Sequence, residues 1–512
     1  MTKKRRAVVV GGGLGGLAAG LRLACAGWRV TICERGQRFG GKMNTFERAG
    51  FRFDTGPSLI TMPWVFESLF AAAGSSLADH VELVPVSPLA DYVFADGVRL
   101  TYSTQLPEWL PAVRQLEPRD VDGFLSFMRL GARLFALSRE TFLRRPPTAP
   151  PDLRSLLALR HLPLRRAWGN YHHTIEAHFR SPHLRQMFDR YPTYVGSSPY
   201  SSPATLAVIP YIEYAFGGWH VRGGLYRLVE AMASLASEHG VELRAETRVE
   251  RVEHDGRRVT GVVLDDGSRL AAEIVVMNGD DATTAALLDG GGAQHSDRAA
   301  RRELGAAAGR EFGNSRGRTR FSHRSLSGFV MLLGVARRLP DLAHHTVYFS
   351  ADYRREFTQL FDEGKFPDDP TVYVCAPSRT DPQLAPEGGE TLFVMANAPA
   401  SDEPWDDEQI SRARGRVLAR LAAGGFPDLG PDVAVSDVWT PRRIARDYLA
   451  PGGAIYGTHS HGWRRAFLRP PNRHARLGGF YRVGGSSHPG GGTPTVLLSA
   501  EITCALVREH EG

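Results

Sequence analysis

Cysteine is scarce in this 512-residue chain: Cys25, Cys33, Cys375 and Cys504 lie scattered, with no CxxC pair. That spacing excludes a zinc finger or a disulfide framework and fits a reducing, cytoplasmic setting. Long apolar runs are missing too, and nothing reaches the roughly 18 uninterrupted apolar residues of a membrane-spanning helix. After the basic start MTKKRR, the stretch AVVVGGGLGGLAAGLRLACAG imitates a secretory leader, but glycine this dense is a poor helix former. No nucleic-acid-binding motif accompanies the net charge of +7 and pI of about 9.3, so the charge points to an anionic membrane surface or acidic ligands, not to nucleic acid. No HExxH, Ser-His-Asp arrangement or close carboxylate pair demands a protein catalyst. His344-His345 hints at a metal, but with no further ligand at useful spacing none is expected.

What remains is large enough, with 42% hydrophobic residues, for two or more domains. AVVV (Ala7 to Val10) reads as a buried parallel strand. Gly11, Gly13 and Gly16 then form GxGxxG, the sequence continues with helical spacing, and WRVTICE ends a second strand at Glu34. Strand, glycine loop, helix, strand and terminal acid in this order describe a dinucleotide site. The glycines allow the turn and the close backbone approach, the helix N-terminus meets the diphosphate, and the acid reaches ribose hydroxyls.

NAD and FAD share that fingerprint. The next segment, QRFGGKMNTFERAGFRFDTGPSLI, is extended and glycine-punctuated, carrying Gly40, Gly41, Lys42, Gly56 and Pro57. It resembles the FAD-binding start of flavin amine oxidases and carotenoid desaturases. A mid-chain block reads as a helix from about Leu225 to Glu238, then strands joined at Asp255-Gly256 and Asp266-Gly267, then IVVM leading to Asn278-Gly279-Asp280. The resemblance implies adenine contact at Val249 and cofactor contact at Asp280. The ending RVGGSSHPGGGTPTVLLSA supplies a glycine loop and a closing helix with Pro494 near its start. It returns the chain to the ring end of the same cofactor, with Gly485 and His488 in the loop and the amides of Thr495 and Val496 placed for a reduced flavin.

His488-Pro489-Gly490 with Gly492 and Pro494 is similar to the phytoene desaturase (carotenoid desaturase) family. EPRDVDGF, YVGSSPYSSPA, GGWHVRGGLYRL, LAHHTVYF and FLRPPNR extend the likeness along nearly the whole chain. His220-Val221 stands where Phe-Pro is common and Pro494-Thr495 where Pro-Gly is common, which leaves the reaction outcome open.

The resemblance implies an α/β fold: a Rossmann-like FAD-binding domain from 1–89, 218–299 and 466–512, with an inserted α+β substrate domain from 90–217 and 300–465. It also implies hydride transfer from an allylic carbon of a C40 or C30 polyene to FAD, with quinone or oxygen as acceptor. A same-fold carotenoid oxidase or hydroxycarotenoid desaturase is the first alternative, and a small-molecule amine oxidase the second. Arg119, Asp120, Asp122 and His488 are the candidates for protein-borne catalysis. Aromatics from Tyr191 to Trp219 either line a polyene tunnel or pack the core. Leu143 to Tyr171, rich in leucine and arginine, fits peripheral insertion into a membrane surface.

Overall fold

The computed structural model describes all residues except 1–4, 147–148, 151, 162–168, 289–323 and 463–468. A five-stranded parallel sheet runs in the order Phe480–Arg482, Ile274–Met277, Arg6–Val10, Arg29–Cys33, Glu242–Arg244. Its central strands, AVVV and IVVM, are buried throughout, as apolar runs covered on both faces must be. The strand pairs Ala7 with Ile274 and Val275 with Phe480, so the start, middle and end of the chain meet in one sheet. The stretch that imitates a leader is thus its central strand and the helix Leu14–Cys25 that follows.

That opening helix packs against the closing helix Thr493–Glu511 and the middle helix Tyr226–Glu238 on one side of the sheet. On the other side lies the expected meander of Val249–His254, Val259–Leu264 and Arg269–Ala271. The middle helix begins where the sequence predicts because Asp54 caps it from outside. Its carboxylate accepts the N–H groups of Leu225 (2.8 Å) and Tyr226 (3.2 Å), while burial pushes its pKa up to about 6.

A second sheet has seven strands in the order Val433–Trp439, Ser327–Val335, Glu390–Ala398, Val372–Cys375, His345–Tyr348, Ala90–Val93, Arg99–Tyr102. It contains an antiparallel pair joined through Pro386 to Gly389, with Cys375 opposite Phe393. One cross-strand row reads Val330, Met395, Tyr373, Val347, Tyr92. Four strand spacings of about 4.8 Å make that row roughly 19 Å long. Of the aromatics from Tyr191 to Trp219 named above, Tyr194 reaches the cavity this row floors, whereas Tyr191 belongs to the buried ring cluster with Phe124, Phe127, Phe179 and Phe188. Core packing, not a tunnel wall, explains most of them.

Candidate cofactor and substrate site

Gly11 has φ +97°, and a Cβ at Gly16 would stand 2.1 Å from the Gly11 carbonyl oxygen, so the opening helix and the loop touch backbone to backbone. Asn278 locks this arrangement by donating its backbone N–H to Val10 (2.9 Å) and its side-chain amide to the Gly11 carbonyl (3.1 Å). Glu34 accepts from the amides of Gly12 (2.7 Å) and Gly36 (2.8 Å), which holds the carboxylate beside the loop. Gly13, at the N-cap, leaves the first turn of the opening helix without a side-chain cap. Its free N–H groups and positive dipole end therefore suit an anion.

The chain's other end repeats the device. The closing helix starts after Gly492, again without a side-chain cap. Asn472, within FLRPPNR, pins the preceding loop by donating to the His488 carbonyl (2.9 Å) and the Ser499 hydroxyl (3.0 Å). One expectation needs correction here. The Val496 amide already donates to the Gly492 carbonyl (3.0 Å), and Pro494 has no N–H, so the amides left in the first turn are those of Thr493 and Thr495. Val496 still lines the site, through its side chain, which lies close to Gly15 and Gly485.

Both helix N-termini open into one cavity of about 1090 Å³. Its wall carries Gly11, Gly13, Glu34, Gly40, Gly41, Lys42, Gly56, Pro57, Val249, Asp280, Gly485, Pro494, Thr495 and Val496. Gly16 lies behind the wall as the packing glycine. Lys42 donates to the Ile455 carbonyl, and burial lowers its pKa against the opposing pull of Asp280. Beyond the glycine backbone the wall turns apolar, along the row from Val330 to Tyr92.

The four catalytic candidates lie outside this wall. Arg119 is exposed and pairs with Glu117 (2.7 Å), which it holds down at about 2. Asp122 is exposed on the helix Asp120–Thr141. His488 is buried, its Nε2 lying 2.8 Å from the carbonyls of Phe142 and Arg145, and burial lowers its pKa. Asp120 is buried and accepts from the amides of Arg180 and Ser181 at 2.8–3.0 Å. Asp120→Ala, which orphans those amides, should cost roughly 3 kcal/mol in denaturant unfolding and leave turnover of the folded enzyme unchanged. Lost turnover at full stability would give Asp120 back a chemical role.

Sequence reasoning missed a polar group inside the apolar half: Ser58, Arg190, Glu213, His345 and Tyr373 all line the cavity with Tyr194. LAHHTVYF and YVGSSPYSSPA flank or contain three of them, but only folding brings them together. It also missed that Cys375, opposite His345 across two strands, joins His344 and His345 as donors within 4.8 Å of one another. Burial pushes that thiol up and both imidazoles down, His345 to about 3.

Two bare helix ends over a glycine-lined wall, opening onto an apolar chamber, suit a flavoprotein oxidoreductase. The chain belongs to the flavin containing amine oxidoreductase family, which matches residues 14–287, and its cofactor is FAD. It is 33% identical over 501 residues to a 4,4'-diapolycopene oxygenase of Methylomonas sp, covering 97% of both chains. To a 4,4'-diaponeurosporene oxygenase of Staphylococcus aureus it is 33% identical over 510 residues, covering 98% of both. Among solved structures it resembles an oxidoreductase from Methanosarcina mazei (TM-score 0.65, 17% identity, 98% of this chain and 100% of that one). It also resembles a putrescine oxidase variant (TM-score 0.62, 14% identity, 99% of both). These two likenesses concern the fold.

Proposed function

We propose that this protein oxidises a long linear polyene of the carotenoid class, acting on its end carbons with FAD as electron acceptor. The observation that carries the reading is the single cavity whose wall passes from glycine backbone to an apolar floor roughly 19 Å long, estimated from strand spacing. A small amine would leave most of that floor uncovered. The curated relatives, named for oxygenation of linear diapocarotenoids, support chemistry at the chain end over desaturation of its middle.

In this reading residues 1–89, 218–299 and 466–512 hold the cofactor, and 90–217 with 300–465 hold the polyene. Gly11, Gly13 and the bare N-terminus of the opening helix take the diphosphate, Glu34 the ribose and Val249 the adenine side. Bound FAD supplies a two-electron acceptor for hydride. The chain's part is positioning of the polyene end, admission of the water molecule that would supply the oxygen atom in place of the departing hydride and give up a proton, and the amides of Thr493 and Thr495, which favour negative charge at the ring end. Oxygen or a quinone would be the external acceptor for the two electrons. The test is mass analysis of products after flavin-loaded protein meets a linear carotene in liposomes. Oxygen gained at a terminal carbon supports the reading, whereas loss of hydrogen alone would replace it with desaturation.

Such a substrate resides in membranes, and no described helix is long and apolar enough to cross one. We propose peripheral docking through the short helix Leu153–Ala158, where Leu153 (71% exposed), Leu156 (52%) and Leu157 (54%), with Leu159 beyond its end (51%), face outward. Arg144, Arg154 and Arg160 are exposed nearby, while Arg145 is tied to Asp152 and the Pro150 carbonyl. Arg165 and Arg166 of the basic stretch lie outside the described residues. Leu153→Ser/Leu156→Ser/Leu157→Ser should lower binding to anionic vesicles at least tenfold. Full burial of a leucine contributes roughly 1.5 kcal/mol, and headgroup insertion a fraction of that. Unchanged co-sedimentation would remove this helix from the docking surface.

A further inference from the structure

The apolar half of the cavity contains a polar patch that the oxidation of a plain hydrocarbon does not require. Arg190 lines the wall, its guanidinium 5.1 Å from the Tyr194 ring centroid and 5.4 Å from that of Tyr373. Of its five N–H donors, one reaches the Tyr194 hydroxyl (3.0 Å), and the guanidinium also faces the Tyr92 hydroxyl, which leaves donors to spare. Among the described residues no carboxylate pairs with it directly, and Glu213, which feels its charge, is joined to it only through the Tyr194 hydroxyl. Glu213 is bound instead by the hydroxyls of Tyr191 (2.6 Å) and Tyr194 (3.1 Å). The Tyr373 hydroxyl contacts Ser58 Oγ (2.6 Å) and His345 Nδ1 (2.7 Å). His345 is 4% exposed, lines the same cavity and leaves its Nε2 without a partner.

A desolvated guanidinium with spare donors and a buried imidazole nitrogen with no partner are costly in an apolar chamber. They are retained at low cost where a ligand brings polar atoms to them. An amine is a poor match, because a cation would meet Arg190. A carbonyl or hydroxyl oxygen accepts from the guanidinium, and its surroundings remain apolar along the floor on both sides of Tyr373. Ser58 directly follows Gly56-Pro57 in the cofactor segment, so the patch adjoins the slot rather than the far end of the chamber.

We propose that Arg190, with Tyr194, Tyr373 and His345 around it, is a subsite for a neutral oxygen function on the end of the polyene, so that the enzyme prefers chains already bearing a terminal aldehyde or hydroxyl. This rests on the polyene reading above. Arg190 is here a specificity-determining residue, set beside the tyrosines that hold Glu213.

The test uses the flavin-loaded full chain and two linear polyenes of equal carbon number in mixed micelles, one a hydrocarbon and one with a terminal aldehyde. The change in flavin absorbance on binding reports both affinities. The wild type should bind the aldehyde about thirtyfold more tightly, the worth of a hydrogen bond from a charged donor. Arg190→Met should bring the ratio close to one with hydrocarbon affinity nearly unchanged, and Arg190→Lys should restore part of it. Equal binding by the wild type, or an Arg190→Met variant that keeps the preference or weakens both ligands alike, overturns the subsite while leaving the polyene reading intact. Binding of neither polyene overturns that reading and the subsite with it.

Discussion

Gly16→Ala is expected to purify as a folded protein nearly without flavin. The added methyl would stand 2.1 Å from the Gly11 carbonyl oxygen and 3.2 Å from Asn278 Nδ2. Neither atom can retreat: Gly11 follows the central strand, and Asn278 is bonded to Val10 and Gly11. The opening helix must lift from the sheet, moving its free amides away from the loop that would hold the diphosphate. A rise of at least a hundredfold in the FAD dissociation constant, about 2.7 kcal/mol, is the expected size. Gly415→Ala is the matched control. It sits exposed in the helix Asp407–Ala423 with nothing near its Cβ position, and gains stability if anything. Full flavin occupancy in Gly16→Ala would contradict the assignment of the first loop.

Thr493→Pro should separate binding from reactivity. Thr493 is the first residue of the closing helix, where proline is well tolerated, and Gly492 before it has a ψ of 143°, within the range preferred before proline, at a φ of +121° that glycine's missing Cβ permits. The substitution deletes one amide donor at the ring end and leaves Gly11, Gly13 and Glu34 untouched. Flavin content should stay normal, the flavin potential should fall, and substrate-driven reduction should slow on the order of a hundredfold, as for loss of one preorganised donor. Unchanged potential and rate would mean that the closing helix merely packs.

The backbone-determined part of the site was legible in sequence. Glycines at fixed spacing, an acid closing the second strand and a glycine loop before a proline-started helix each follow from local geometry. Gly11, Glu34, Gly56 and Pro494 all line the one cavity. The amide assignment slipped by one turn because the hydrogen bond from Val496 to Gly492 depends on where the helix starts. EPRD read as chemistry because a carboxylate that binds loop amides looks, in one dimension, like one that binds substrate. Asp120 shows its anchoring role only once Arg180 and Ser181, sixty residues on, fold against it. Ser58, Arg190, Glu213, His345 and Tyr373 come from five separate segments, and no spacing rule could have gathered them.

The most direct measurement of the central claim is anaerobic single-turnover mixing of the flavin-loaded protein with a linear carotene held in liposomes, followed at the flavin's visible band. The account predicts that the band bleaches and that one polyene is oxidised per flavin reduced, with simple alkyl amines leaving the band unchanged. A band that persists with the carotene but bleaches with an amine would contradict it.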